Sequence, residues 1–169
     1  MTEFEKYVQR YLDLIPSENW KEEFLISGDK VVDFYSQLSD EQALFAYDEG
    51  KWTLKELLLH LSDTERIFQF RILSFARGEK QALPGFDEEL YAANSFANQR
   101  TLASLLEEFS LIRKSSQILF STLDSSVLQN TGLANGNSIS VDAMCKLIVG
   151  HTIHHLNIIN ERYLPQLPY

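Results

Sequence analysis

The sequence predicts an all-α protein, most economically a four-helix bundle with a short extra helix at its N-terminus. Apolar residues recur at helical spacing along most of the chain, and most of its 7 glycines and 4 prolines fall between these segments. No shift in composition, linker or internal repeat divides the 169 residues, of which 44% are hydrophobic. We therefore expect one domain that covers residues 1–169.

The first two helices are predicted on either side of Pro16. The short N-terminal helix covers about residues 3–14, because proline disfavours helix in the residue before it. Ser17 is expected to cap the second helix, which runs to about Leu38. Gly28 is expected to bend or interrupt this helix.

The third helix has the clearest start signal. Thr53 and Glu56 form a T-x-x-E capping box, and the helix is predicted to continue to about Arg77, before Gly78. A stretch of weak periodicity follows, from Gly78 to Asn98. Unstructured stretches of this length inside compact domains are often lids or binding loops.

The second half of the chain contains two further predicted helices and a tight turn. The fourth helix covers about residues 101–123. Asn135-Gly136 predicts a small hairpin between Thr131 and Ile139. The last helix, about residues 141–164, is expected to begin after the Ser140 cap and to end before Pro165.

The charge balance excludes several classes of partner. Lys plus Arg is 15 and Asp plus Glu is 24, which gives a net charge of −9 that repels phosphate backbones and anionic membranes. The first residues lack an apolar signal segment, and no apolar stretch approaches the ~20 residues needed to span a bilayer. We therefore expect a cytoplasmic protein without nucleic-acid or membrane partners. Cys145, the single cysteine, is expected in the core.

All four histidines lie on two predicted helices. His60 is on the third helix, and the other three are on the last. At about 100° per residue, His151 and His155 fall on the inward apolar stripe, whereas His154 falls on its flank. Two imidazoles at i and i+4 can bind one metal ion, and His60, at the edge of its helix's core face, is left to supply a third ligand. The residues alone leave open a hydrogen-bonded or solvated His60 and a pair of core histidines satisfied by backbone or water.

Two segments resemble the signature regions of the DinB/YfiT-like family of four-helix-bundle metalloenzymes. They are GKWTLKELLLHLSDTERIFQFR at Gly50–Arg71 and GHTIHHLNIINERYLP at Gly150–Pro165. In order, they contain the family's H-L-x-D-x-E and H-x-x-H-H motifs. The resemblance implies an up-down-down-up bundle whose crossover connection is the segment from Gly78 to Asn98.

The resemblance also implies a divalent metal ion held by His60, His151 and His155. Zinc and nickel are the usual occupants in the family, and three imidazoles with an open fourth position suit zinc, although iron and manganese also fit. Characterised relatives include thiol S-transferases and mycothiol-dependent isomerases. The resemblance therefore implies a metalloenzyme that activates a low-molecular-weight thiol for transfer to an electrophile, and often a homodimer. The alternatives are a metal-dependent hydrolase, a non-catalytic metal- or ligand-binding stress-response bundle, and a purely structural helical module.

Two polar residues on the third helix are candidates for supporting roles. Asp63 could accept the second ring N–H of His60 and orient it, or it could pair with Arg66 or Arg71. Arg71 lies on the same stripe as His60, where it could hold a substrate carboxylate; an ion pair with the protein is the alternative.

Four other side chains near the motifs receive mainly structural interpretations. Glu65 is expected to be a solvated carboxylate paired with a nearby arginine. Trp52 is expected to pack as a hydrophobic staple before the Thr53 cap. Phe86 and Tyr91 are expected either to line the pocket or to pack beneath the long loop.

Overall fold

The computed structural model describes residues 1–168, and within that range it contains seven α-helices and one two-stranded sheet. In chain order the elements are α1 (Glu3–Leu12), α2 (Trp20–Tyr35), α3 (Leu54–Ala76), α4 (Glu88–Ala93), α5 (Leu102–Ser121), α6 (Ser125–Leu128), β1 (Thr131–Ala134), β2 (Asn137–Ser140) and α7 (Val141–Ile158). Short 3-10 turns cover Gln42–Leu44, Ala97–Gln99 and Leu164–Gln166, and a π-helical turn covers Ile159–Tyr163. None of the helices in residues 1–168 has the length and apolar character needed to cross a membrane.

Helices α2, α3, α5 and α7 form the bundle. Both α2 and α3 pack against α5 and α7, so the consecutive helices α2 and α3 lie diagonally across the bundle. Side-chain contacts fix the directions: α3 runs parallel to α5 and antiparallel to α7, and α2 runs antiparallel to α5. The α3–α5 contacts are Glu65 with Arg113 and Gln69 with Ser116. The α3–α7 contacts are His60 with His155 and Phe68 with His151. The α2–α5 contacts are Phe24 with Phe120 and Gly28 with Arg113. This is the predicted up-down-down-up topology.

The helix caps confirm two sequence predictions. The Thr53 hydroxyl accepts a hydrogen bond from the Glu56 amide at 3.1 Å, and the Glu56 carboxylate accepts one from the Thr53 amide at 2.7 Å. Ser140 caps α7 by accepting from the Ala143 amide at 3.1 Å. These caps satisfy backbone donors at the starts of the two helices that carry the histidines.

The predicted start of α2 is wrong, and the helix is not interrupted at Gly28. The helix begins after Asn19, whose side chain accepts from the Glu22 amide, and not after Ser17. It also continues unbroken through Gly28, which is buried against α5. Packing of this face in the bundle outweighs the roughly 1 kcal/mol that glycine costs in a helix interior.

The predicted hairpin is present. Asn135 and Gly136 have φ angles of 50° and 75°, the left-handed pair that a type I′ turn requires. Strands β1 and β2 pair antiparallel, with Thr131 opposite Ser140. The hairpin therefore leads directly into the cap of α7.

The crossover between the parallel helices α3 and α5 has more structure than its weak periodicity indicates. Leu83 forms a parallel bridge with the hairpin: its amide donates to the Leu133 carbonyl at 2.9 Å, and its carbonyl accepts from the Asn135 amide at 3.0 Å. Further along, Asp87 caps the six-residue helix α4. A helix this short is too brief for a periodic signal, which is why the sequence did not predict it.

The core consists of two apolar clusters with buried polar side chains between them. Most of the buried polar residues lie between the two clusters along each bundle helix, counting the turn that follows α7 as part of that helix. Lys55 and Arg71 are the exceptions, since each lies within one cluster's stretch of α3. The main apolar members are Phe24, Ile72, Phe75, Phe120 and Met144 in one cluster, and Tyr35, Leu54, Leu58, Phe109 and Ile159 in the other. The polar layer contains Ser27, Ser62, Thr64, Glu65, Arg113, Ser116, Thr152 and His155. Because buried polar groups need partners, this layer marks the height at which a site is expected.

Candidate metal centre

The antiparallel packing of α3 against α7 brings the three predicted histidines together. The Nε2 atom of His151 lies 3.1 Å from Nε2 of His60 and 3.1 Å from Nε2 of His155. One ring nitrogen from each residue lies within 4.8 Å of the other two. The ring of His154 packs against that of His155, with centroids 5.0 Å apart, but does not join the group.

A two-centre hydrogen bond between the rings can satisfy only one of these two 3.1 Å contacts. A neutral imidazole nitrogen is either a donor or an acceptor, so Nε2 of His151 cannot donate to one neighbour and accept from the other. In a tetrahedral zinc site with Zn–N bonds of about 2.0–2.1 Å, ligand nitrogens are about 3.3 Å apart. The observed separations are close to that value, and the donor set therefore fits a divalent ion.

Burial keeps the three rings neutral. Desolvation, reinforced by the neighbouring imidazoles, lowers the pKa of His60 to about 4 and holds the pKa values of His151 and His155 well below their usual range. Neutral imidazoles have the free lone pair that a metal ion needs. At neutral pH the group therefore presents lone pairs and not positive charge.

The outer nitrogens of these rings have few partners. The Thr64 hydroxyl lies 3.5 Å from Nδ1 of His60, and Nδ1 of His155 is buried without a partner in residues 1–168. Asp63, the sequence candidate for orienting His60, instead lies 3.6 Å from Arg66, and no hydrogen bond in the described range joins it to His60. The alternative interpretation, pairing with Arg66, is the arrangement observed.

The histidines line a solvent-open cavity of about 570 Å³. Its walls come from α1, α3, the crossover with α4, the hairpin and α7. The size is within the range of small-molecule sites, and the walls combine aromatic rings with a few charged groups. The cavity therefore gives a small molecule access to the three ring nitrogens.

Helix α1 forms a wall that the sequence did not reveal. The Tyr11 ring lies 6.0 Å from the His151 ring, and Phe4 and Tyr7 line the cavity beside it. The close approach depends on Gly150 of α7, since a Cβ atom there would overlap the carbonyl oxygen of Tyr11. Aromatic residues at three- and four-residue spacing along α1 were the available signal.

Trp52 has contacts beyond those of the predicted staple. Its ring packs against His60 with centroids 4.6 Å apart, and its Nε1–H donates to Glu89 of α4 at 3.2 Å. Trp52 therefore links the crossover to the histidine group. Phe86 lines the cavity, whereas the exposed Tyr91 packs against Phe86 at 5.4 Å without lining it.

Arg71 lies in the cavity wall, on the stripe of α3 that carries His60. Its Nη2 donates to the Pro84 carbonyl at 2.7 Å, and its guanidinium carbon lies 5.9 Å from the ring centroids of both Phe68 and Phe86. Burial lowers its pKa, but a guanidinium stays charged in proteins. No ion pair to Arg71 is present among residues 1–168.

The interpretation of Glu65 as a solvated carboxylate is wrong. Glu65 is buried, with Oε2 3.0 Å from Nε of Arg113, because its position on α3 faces α5 in the polar layer. Burial raises the pKa of Glu65 and lowers that of Arg113. Arg113 also donates from Nη2 to the hydroxyl of Thr152, the residue after His151. This buried pair connects three bundle helices next to the histidine group.

The sequence model of the DinB superfamily matches residues 24–159. The chain belongs to the DinB superfamily. A relative from Oceanobacillus iheyensis, named as a candidate metal-dependent hydrolase, is 24% identical over 141 residues, which are 81% of this chain and 79% of the relative. The range matched by the superfamily model, residues 24–159, contains all three histidines of the group and leaves α1 outside.

Two solved structures share the fold of this DinB superfamily member. YfiT from Bacillus subtilis, described as a candidate metal-dependent hydrolase with an unusual four-helix bundle topology, superimposes with a TM-score of 0.75 at 19% identity and covers 88% of this chain and 89% of its own. A mycothiol-dependent maleylpyruvate isomerase superimposes with a TM-score of 0.67 at 11% identity and covers 99% of this chain and 68% of its own. At these identities the likeness establishes a common fold.

Proposed function

We propose that this DinB superfamily protein is a divalent-metal-dependent enzyme acting on a small molecule, with His60, His151 and His155 as the metal ligands. The convergence of three neutral imidazole nitrogens in an open cavity carries the proposal. Three protein ligands leave a further coordination position, the arrangement typical of catalytic metal sites. Zinc and nickel are the favoured ions, and iron and manganese also suit imidazole ligands.

The proposed reaction is the transfer of a small thiol to an electrophile. A divalent ion bound to these histidines would lower the pKa of a coordinated thiol, so that the nucleophilic thiolate would form at neutral pH. The S–C bond would form as the bond to the electrophile's leaving group breaks, and the thiol proton would pass to solvent or to the leaving group. The mycothiol dependence of one structural neighbour supports this class of cosubstrate.

The reacting sulfur would have to come from outside the protein. Cys145 is the single cysteine of the chain, it is completely buried, and burial raises its pKa to about 12. It is also absent from the cavity wall. The chain's own residues would bind and orient the reactants, since the Trp52 ring packs on His60 and the Tyr11 ring packs near His151.

Metal-dependent hydrolysis is the second candidate. The name of the Oceanobacillus iheyensis relative and the description of YfiT both favour it. It would use the same three histidines with water in place of the thiol, because zinc lowers the pKa of bound water to near 7. The two reactions differ in whether a thiol is consumed.

One assay separates these reactions. Protein loaded with zinc or nickel is incubated with 1-chloro-2,4-dinitrobenzene and either cysteine or mycothiol, and separately with p-nitrophenyl acetate without thiol. Metal-dependent conjugate formation that falls at least ~100-fold in His60→Ala and is unchanged in Arg77→Gln, an exposed residue outside the cavity, would support thiol transfer. Thiol-independent ester cleavage with the same variant pattern would support the hydrolase, and neither activity would indicate a non-catalytic metal-binding protein.

A further inference from the structure

Arg71 gives the cavity a second polar end, eleven residues along α3 from His60. At 1.5 Å per residue, their Cα atoms are about 16 Å apart along the helix. Helical side chains lean toward the N-terminus, so a long arginine at this position extends back toward the histidines. Phe68 lies between them, with its ring 6.4 Å from the His151 ring and 5.9 Å from the Arg71 guanidinium carbon.

Arg71 is a buried cation without a carboxylate partner in residues 1–168. Only 7% of it is exposed, and its one hydrogen bond in that range is to the carbonyl of Pro84. Its other N–H groups have no hydrogen-bond partner in that range, but they are not fully buried and so contact the solvent in the cavity. The other buried arginine, Arg113, faces Glu65. Because buried charges are normally paired, the missing partner of Arg71 points to a ligand.

The surroundings of Arg71 suit a carboxylate. Phe68 and Phe86 both lie within cation–π distance of the guanidinium. A guanidinium presents two parallel N–H donors that match the two oxygens of a carboxylate, and the low dielectric of an aromatic site strengthens the pair. Two acidic residues, Glu88 and Glu89, also line the cavity, and Glu89 is bonded to Trp52 at the histidine end.

We propose that Arg71 binds a carboxylate of the substrate, so that the substrate extends from Arg71 along Phe68 to the histidine group. The substrate class is thus an organic acid with an apolar segment between its carboxylate and its reacting end. The position of the reacting end rests on the proposed function. Binding of the carboxylate does not, because it needs no metal ion.

The test uses metal-free protein and two probes of the same shape. 3-Phenylpropionate carries a carboxylate, and 3-phenylpropionamide replaces it with a neutral amide. Isothermal titration calorimetry of each probe is carried out on the wild type, Arg71→Gln, Arg71→Lys and Arg77→Gln. Arg77 is the matched control, because it is an exposed arginine at the end of α3 that does not line the cavity.

The wild type should bind the carboxylate at least about tenfold more tightly than the amide, as expected for a charge-assisted pair. Arg71→Gln should remove this preference, Arg71→Lys should keep part of it, and Arg77→Gln should keep all of it. Equal affinities of the wild type for both probes, or no binding of the carboxylate up to about 10 mM, would overturn the inference without reference to any variant. An undiminished preference in folded Arg71→Gln would do the same.

Failure of the inference and failure of the proposed function give different results. If the histidines bind no metal, carboxylate binding by the metal-free protein is unaffected. If Arg71 does not bind the substrate, Arg71→Gln leaves metal content and turnover of the loaded enzyme intact, whereas His60→Ala removes both.

Discussion

The Nε2 atoms of His60 and His151 lie 3.1 Å apart, although 91 residues separate them in the chain and they belong to different helices. The antiparallel contact of α3 with α7 produces this proximity. His155, one turn after His151, completes the group from the same helix. Two helices of the bundle therefore supply all three ring nitrogens, and the stability of their contact determines the geometry of the site.

We predict that Gly150→Ala destabilises the protein and Gly28→Ala does not. A Cβ at position 150 would overlap the Tyr11 carbonyl, so α1 must shift, at a cost of about 1–3 kcal/mol in the free energy of unfolding. A Cβ at position 28 meets Arg113 at an ordinary 3.5 Å, and alanine there should stabilise the helix by about 0.5–1 kcal/mol. Urea unfolding of both variants measures the difference. Equal effects would contradict the close approach of α1.

The buried pair of Glu65 and Arg113 should be energetically coupled. Arg113→Met leaves the buried carboxylate unpaired and should destabilise the fold by about 3–5 kcal/mol. The double variant Glu65→Gln/Arg113→Met should lose clearly less than the sum of the two single losses. Arg66→Met, which breaks an exposed pair with Glu108, is the control and should lose less than about 1 kcal/mol. Additive single losses in the cycle would exclude the coupling.

The metal-free protein should become less stable as the pH falls from about 7 to 4. Burial lowers the pKa of His60 to about 4, and the unfolded chain binds protons near the ordinary histidine value of 6.5, so the unfolded state takes up more protons in this window. The stability present above pH 6.5 is therefore lost as the pH falls toward the folded pKa, by up to about 1.4 kcal/mol per pH unit for each such histidine.

Comparison with His60→Asn isolates this effect from the titration of carboxylates. Urea unfolding in the presence of a chelator should show a shallower pH dependence for the variant, because one buried imidazole has been removed. Identical slopes for the two proteins would show that His60 is not buried as described.

Cys145 should be unreactive in the folded protein. It is completely buried, and burial raises its pKa to about 12, so almost no thiolate is present near pH 8. Ellman's reagent should therefore label the native protein far more slowly than the unfolded protein. Rapid labelling of the native state would reopen Cys145 as a source of the reacting sulfur.

Local features were the most predictable from the sequence. The capping box at Thr53 and Glu56 and the Asn135-Gly136 turn are decided by residues close together in the chain, and both were predicted. The i,i+4 spacing of His151 and His155 on an apolar stripe likewise placed both rings inward before any packing was known. Such signals need no knowledge of neighbouring helices.

Contacts between distant segments were not predictable in the same way. The sequence indicated only a local staple for Trp52, and its further contacts with His60 and Glu89 depend on where the crossover folds back. Glu65 looked solvated until its helix was packed against α5, where Arg113 meets it. The role of Tyr11 depends on the approach of α1 to Gly150. Each of these contacts is set by the tertiary arrangement, which periodicity does not specify.

The metal content of protein purified without chelator or added metal tests the central claim most directly. Elemental analysis should find about one divalent ion per chain in the wild type and in His154→Ala, whose ring lies outside the group. His60→Ala, His151→Ala and His155→Ala should each lose the ion. Wild-type protein without metal, or His60→Ala with unchanged metal content, would contradict the three-histidine site.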